Sequence, residues 1–304
     1  MLSRGCGDVH RMVALSGARR SWTGWRWAAL VAVLAFALMP LLAFAQSGPG
    51  GNTPGLQTSR ENLLLTGRPF LPVGLGVMGW DISWPQCPNS EVPSGQVAFA
   101  IIGVSDGRPY TENDCFLQQF SWAVANSQST PQIYMNIAGL PDGWTDPSCA
   151  TTDLPCQAYY YGKGAAVYAV ASAMKYDANA PMWWLDVETA NHWSSTQFLN
   201  ERAVKGAVEY LQATGHTVGI YSTPRVWGLL MGSYMPGLPV WTAGADDLQV
   251  APNRCSASYA FGGGQVLMVQ YVSEHLDANY SCVMPSWPGR RSQILPMISN
   301  DGGS

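Results

Sequence analysis

Between residues 77 and 282, short apolar runs alternate with longer stretches in which apolar residues recur at helical spacing. This is the signature of β/α units around a largely parallel sheet. Seven runs predict strands, at 78–82, 98–104, 132–137, 182–187, 218–222, 239–243 and 266–271. Helices are predicted at 114–126, at the Ala-rich 160–176, and at 199–214, which stops at Gly215 as a helix end should. After Ser222 the helical signal shrinks to 225–231, and loops containing Gly and Pro separate the last strands. The pattern predicts a single-domain α/β barrel whose final third has lost its helices, with an open doubly wound sheet as the alternative. No Gly-rich phosphate loop follows the first strand, which counts against the open sheet.

The flanks read differently. A basic stretch ending at Arg26 leads into an apolar run from Trp27 to Ala45 that closes on Ala43-Phe44-Ala45, so 1–45 is read as a secretory signal with an A-x-A cleavage site or, uncleaved, as an N-terminal anchor. Residues 46–72 are rich in Gly, Pro, Ser and Thr and read as a flexible linker; the domain is placed at 73–285 and a polar tail at 286–304. The expected location is outside the cell, at the cell wall, with membrane contact only through an uncleaved leader.

Composition narrows the function. Of 304 residues 47% are apolar and 12% charged, which excludes intrinsic disorder. The first 45 residues hold five Arg and one Asp, leaving 11 basic against 19 acidic residues in the remainder, a net charge of −8. A nucleic-acid partner is therefore not expected, because phosphate binding needs clustered Lys and Arg. Six cysteines follow the leader: Cys87, Cys115, Cys149, Cys156, Cys255 and Cys282. An even set in an exported chain predicts disulfides. Of fifteen possible pairings, proximity suggests 87 with 115, 149 with 156 and 255 with 282. With no C-x-x-C pair, and with His192, His216 and His275 far apart in the chain, neither a metal nor a cofactor is expected.

Acidic and polar residues recur at the C-terminal ends of the predicted strands: Asp81, Asp106, Asn136, then Asp186 and Glu188, with Asp277 just past the last one. In parallel barrels the strand ends share one bowl, where catalytic groups collect. On a strand Asp186 and Glu188 face the same way, their Cα atoms about 6.6 Å apart. Two such carboxyls repel as anions, so one should keep its proton near neutrality, as a glycosidase acid must. A lone D-x-E is usually a solvated surface pair. Here its flanks are apolar and aromatic, and the loop Asn191-His192-Trp193 follows, placed to line a cleft. Among Trp80, Trp84, Trp122, Trp183, Trp184 and Trp241, one or two near strand ends are expected to stack on sugar rings and the others to fill the core.

Together these residues resemble the lysozymes of glycoside hydrolase family 25, the Chalaropsis-type muramidases. That family opens on a G-x-D-x-S strand, ends its fourth strand in D-x-E, and finishes with a Q-Y strand followed by a D-x-N turn. The chain has Gly79-Trp80-Asp81-Ile82-Ser83, Asp186-Val187-Glu188, Gln270-Tyr271 and Asp277-Ala278-Asn279. Val218-Gly219-Ile220-Tyr221-Ser222 and Val240-Trp241-Thr242-Ala243 match its fifth and sixth strands. The resemblance implies a TIM-like (β/α)5β3 barrel that acts as a monomeric hydrolase on the β-1,4 bonds of peptidoglycan or another cell-wall polysaccharide. It implies Glu188 as general acid, supported by Asp186, Asp81 and Asp277. Trp80, Asn136, Tyr221, Trp241, Gln270 and Asp106 complete the expected site as substrate-binding residues.

Two stretches depart from the family. Gly103-Val104-Ser105-Asp106-Gly107 stands where K-x-x-E-G is usual, and Tyr134-Met135-Asn136 where a Y-H pair usually ends the strand. With its inserted 142–156 segment, the chain resembles a divergent, disulfide-bearing branch among secreted bacterial proteins. The alternative is a non-catalytic wall-binding protein on the same barrel.

Overall fold

The computed structural model describes residues 76–273 and 275–282. The expected leader at 1–45, linker at 46–72 and tail at 286–304 lie outside the described residues. Among the described residues no helix is long and apolar enough to cross a membrane.

Eight strands close into a barrel in sequence order: β1 (Met78–Ile82), β2 (Phe99–Gly103), β3 (Gln132–Asn136), β4 (Met182–Asp186), β5 (Thr217–Ser222), β6 (Val240–Ala245), β7 (Val266–Ser273) and β8 (Leu276–Ser281). The first seven run parallel, and β8 pairs antiparallel with both β7 and β1 to complete the ring. Helices α1 (Phe116–Asn126), α2 (Leu154–Met174), α3 (Gln197–Ala213) and α4 (Pro224–Met231) follow β2 to β5. The first connection carries only a 3-10 turn, Trp84–Asn89. Beyond the short α4 no α-helix follows among the described residues, as the fading helical signal after Ser222 predicts.

The eighth strand is the main addition. Asp277 lies on β8, not in a turn beyond the last strand. The stretch reads as a turn because two of its inward positions, Asp277 and Asn279, are polar. Those residues face a polar end of the barrel, so hydrophobicity gives no period to detect. Helix α2 starts at Leu154, six residues earlier than its apolar spacing suggests. The side chain of Asp153 accepts the backbone N–H of Cys156, and Pro155 sits in the first turn where it loses no helical bond.

Two apolar layers hold these elements. One lies between barrel and helices and includes Ile102, Ile133, Trp183, Leu185, Val204 and Leu211. The other fills the barrel itself, with Phe99, Ile101, Met182, Trp184, Trp241, Leu267 and Met268. β2 and β4 are buried along their whole length because both faces are covered. The interior rings need glycine beside them: a Cβ on Gly219 would fall 2.2 Å from the Trp184 ring, and one on Gly79 2.4 Å from Phe99. Large and small residues thus alternate across facing strands, which seals the barrel below the site.

Disulfides join Cys87 to Cys115, Cys149 to Cys156 and Cys255 to Cys282, the pairing that proximity suggests. The two closing 27 and 28 residues each contribute roughly 3–4 kcal/mol by restricting the unfolded chain.

Candidate active site

The C-terminal ends of the strands open onto a cavity of about 250 Å³. Asp81 from β1, Asp186 from β4, Glu188 just beyond it and Asp277 from β8 all line it. Asn136, Tyr221, Trp241 and Gln270 line it too, and among the described residues no Lys, Arg or His does. Eight of the ten residues read from the sequence therefore meet in one place.

Trp80 and Asp106 do not. Trp80 neighbours Asp81 on β1, so its side chain leaves by the opposite face and packs against the layer beneath the helices. Asp106 is exposed in the loop after β2, where its backbone N–H is taken up by Thr111 Oγ1 at 3.0 Å. The cavity wall there is its neighbour Gly107.

The acids are held by donors whose directions are fixed. Trp241 Nε1 can only donate, and it does so to Asn279 Oδ1 at 2.7 Å, so the Asn279 amide must turn its Nδ2 to Asp81 Oδ2 at 2.6 Å. Likewise the Tyr221 hydroxyl donates to Gln270 Oε1 at 2.7 Å, and Gln270 Nε2 donates to both Asp81 oxygens at 3.1 and 3.2 Å. Burial keeps the Tyr221 hydroxyl protonated well above its ordinary range, with the surrounding acids adding to it. Asp186 Oδ2 accepts from Asn136 Nδ2 at 2.5 Å, and Asn136 Oδ1 in turn accepts from Ser105 Oγ at 2.8 Å. The other oxygen, Asp186 Oδ1, is buried with no partner among the described residues. Glu188 is fixed through its backbone. The Val187 N–H bonds to the Tyr221 carbonyl, Ser222 Oγ donates to the Val187 carbonyl, and Trp193 Nε1 donates to the Glu188 carbonyl at 2.6 Å.

Four carboxyls without a cation cannot all ionise. Burial, then repulsion from Asp277, pushes Asp81 up to about 8 against the pull of Asn279 and Gln270. Burial, then Glu188 and Asp81, raises Asp186 far above the carboxylate range. Burial also raises Asp277. Glu188 is raised by burial and by Asp277, while the nearby Tyr221 hydroxyl acts the other way. The repulsions run from Asp81 to Asp277, Glu188 and Asp186 and back to Asp81, so the proton count belongs to the set.

No family model matches the chain. It is 28% identical over 160 residues to the probable GH family 25 lysozyme 4 of Dictyostelium discoideum, a match covering 50% of this chain and 74% of that relative. It is 35% identical over 94 residues to the probable GH family 25 lysozyme 2 of the same organism, covering 30% and 44%. The chain is similar in sequence to the glycoside hydrolase family 25 lysozymes. Among solved structures it is similar to the muramidase from Acremonium alcalophilum, at 16% identity and a TM-score of 0.43 over 69% of this chain and 95% of that one. A family 25 glycosyl hydrolase of Streptococcus pneumoniae matches at 17% identity and a TM-score of 0.46, over 69% and 87%.

Several cavity residues were missed by sequence reasoning. Tyr134 lies two residues before Asn136 on β3 and shares its inward face, so strand alternation alone identifies it. Ser83, Pro85, Gln86 and Gly107 come from loops and carry no periodic signal. Asn191 lines the cavity as its loop predicts, whereas the exposed His192 does not. Among the described residues no cluster of three or more His, Cys, Asp or Glu side chains could hold a metal ion.

The raised acids make stability depend on pH. Below about pH 4 Asp81 is protonated whether the chain is folded or not. As pH rises the unfolded chain ionises freely while the folded one holds the proton, so this contribution to stability is lost progressively up to about pH 8. Asp186, Glu188 and Asp277 act in the same direction. Glu112, lowered by its hydrogen bond with Lys175, acts oppositely but sits at the surface, where solvent screens it. The melting temperature is expected to fall between pH 5 and pH 8, and Asp81→Asn to remove part of that fall. Thermal melts of both proteins across this window decide it, and a melting temperature that climbs with pH contradicts it.

Proposed function

We propose that the chain is a lysozyme-type glycosidase that hydrolyses β-1,4 bonds between the amino sugars of peptidoglycan, with Glu188 as the acid. The observation that carries this reading is the convergence of four carboxyls, with no cationic side chain among the described lining residues, in one cavity at the C-terminal mouth of a barrel. The relationship to family 25 lysozymes supports it.

Glu188 is the least confined of the two D-x-E acids. It is partly exposed at the mouth, whereas Asp186 is 6% exposed and tied to Asn136. A raised carboxyl that reaches the ligand is fitted to protonate the oxygen of the leaving sugar as the C–O bond breaks. Positive charge then develops on the remaining ring, and the ionised members of the set stabilise it in a site shielded from bulk water. Water adds its oxygen to the anomeric carbon, and its released proton returns to the carboxyl set, restoring the starting count. Asp186 forms the floor beside Glu188, with Oδ2 held by Asn136. Asp81, held by three donor contacts, orients the wall formed by Gln270 and Asn279. Export belongs to the same reading, supported by three disulfides and by the basic-then-apolar leader pattern.

The test is release of reducing ends from purified peptidoglycan and from β-1,4-linked N-acetylglucosamine oligomers. Release that rises with time and protein concentration supports hydrolysis. Binding to the wall with no new reducing ends from pH 4 to pH 8 overturns it in favour of the binding-only alternative.

A further inference from the structure

The large Trp84 side chain is 44% exposed at the edge of the cavity, whereas Trp183, Trp184, Trp227 and Trp241 are buried. An indole left half in water costs burial free energy and needs a reason. Its surroundings hold it still. Trp84 opens the 3-10 turn Trp84–Asn89, which the disulfide from Cys87 to Cys115 ties to the start of α1. The turn is capped by Ser83, whose backbone N–H bonds to Gln86 Oε1 at 2.9 Å, and the Ser83 carbonyl accepts Gln119 Nε2 from α1 at 2.7 Å.

Beneath the ring lies Gly107 with φ of +68°. A Cβ there would stand 2.9 Å from Trp84 Nε1 and 3.1 Å from Cε2, so the ring rests directly on backbone. Asn191 Nδ2, from the loop after Glu188, donates to the Gly107 carbonyl at 3.3 Å and joins that loop to the same wall. The indole N–H has no acceptor among the described residues, whereas those of Trp183, Trp184, Trp193, Trp227 and Trp241 all have one. A rigid, exposed aromatic face with a free donor at its edge matches a pyranose, which offers an apolar face of C–H groups ringed by hydroxyls.

We infer that Trp84, seated on Gly107 and anchored through Cys87–Cys115, is the stacking platform for one sugar ring of the glycan that occupies the acidic cavity. The inference rests on the proposed glycan-hydrolase reading and assigns the subsite that reading leaves open. Preorganisation is its physical advantage: the turn is already fixed, so binding orders little and the stacking energy goes into affinity.

The experiment measures binding of a β-1,4-linked N-acetylglucosamine tetramer by calorimetry in the Glu188→Gln background, where turnover does not obscure affinity. Trp84→Ala is expected to weaken the dissociation constant about tenfold or more, and Trp84→Phe, which keeps a ring, to stay within about threefold. Thermal melts in each variant exclude loss of fold as the cause. Equal affinity in the Ala variant and its parent overturns the platform. The two readings fail separately. A protein that binds the tetramer through Trp84 yet releases no reducing ends keeps the platform and loses the hydrolase. One that hydrolyses peptidoglycan with affinity indifferent to Trp84 does the reverse.

Discussion

Glu188→Gln is expected to lower turnover of peptidoglycan by about 10²- to 10⁴-fold, the range over which a positioned general acid contributes. The amide keeps the size and hydrogen-bonding edge of the side chain but has no proton to give a leaving oxygen. The fold has no reason to suffer. Glu188 is partly exposed, and its position is set by backbone bonds from Val187, Ser222 and Trp193 that the substitution leaves alone. One electrostatic consequence follows. Glu188 is the larger of the two charges that raise Asp186, so its neutralisation eases ionisation of Asp186 and shifts the melting temperature upward near neutral pH. Initial rates of reducing-end release, tetramer affinity and thermal melts separate these effects. A variant that keeps turnover within tenfold of the parent removes Glu188 from the role of acid.

Gly162→Ala is expected to destabilise the protein by about 3 kcal/mol, at the upper end of what overpacking usually costs. Helices α2 and α3 pack backbone against backbone. A Cβ on Gly162 would lie 1.8 Å from the Ala203 carbonyl oxygen and 2.5 Å from its carbon, while one on Gly206 of α3 would lie 2.0 Å from the Tyr159 carbonyl oxygen. The obstacles are main-chain atoms, so no side chain can swing aside and the helices themselves must separate. Helix propensity argues the other way, favouring Ala over Gly by about 1 kcal/mol. Gly228 in α4 supplies the control, because nothing lies within 4 Å of a Cβ there. Gly228→Ala is expected to be neutral or stabilising by up to about 1 kcal/mol. Chemical denaturation of both variants makes the comparison, and equal effects at the two glycines would refute the close-packing argument.

Much of the site was legible because a strand has only two faces and a parallel barrel only one catalytic rim. Asp81, Asn136, Asp186 and Glu188 could be placed together from strand ends alone, and Gln270 from the family resemblance. Trp80 illustrates a signal present but unused: once Asp81 is assigned to the interior, its neighbour must point away. Asp106 and Gly107 show the opposite limit, since neighbouring positions in a loop carry no face parity and only the chain path decides which one reaches the cavity. Trp84 stood among six candidate tryptophans; it lies just past the predicted strand 78–82 whereas Trp183 and Trp184 lie inside one, but only the packing of its turn decided that it stays exposed.

By itself the sequence determined the β/α alternation, the fading of helices after β5, and the acids at strand ends, because these depend on short-range periodicity that side-chain burial imposes on each element separately. The cysteine partners were also near neighbours in the chain. Tertiary structure alone decided the rest. It made 276–281 a strand, because the polar Asp277 and Asn279 answer to a polar barrel mouth made by other strands. It also set the burial and mutual repulsion that raise Asp81 and Asp186, the glycine contact between α2 and α3, and the exposure of the Trp84 indole. Each of these depends on atoms brought together from distant parts of the chain.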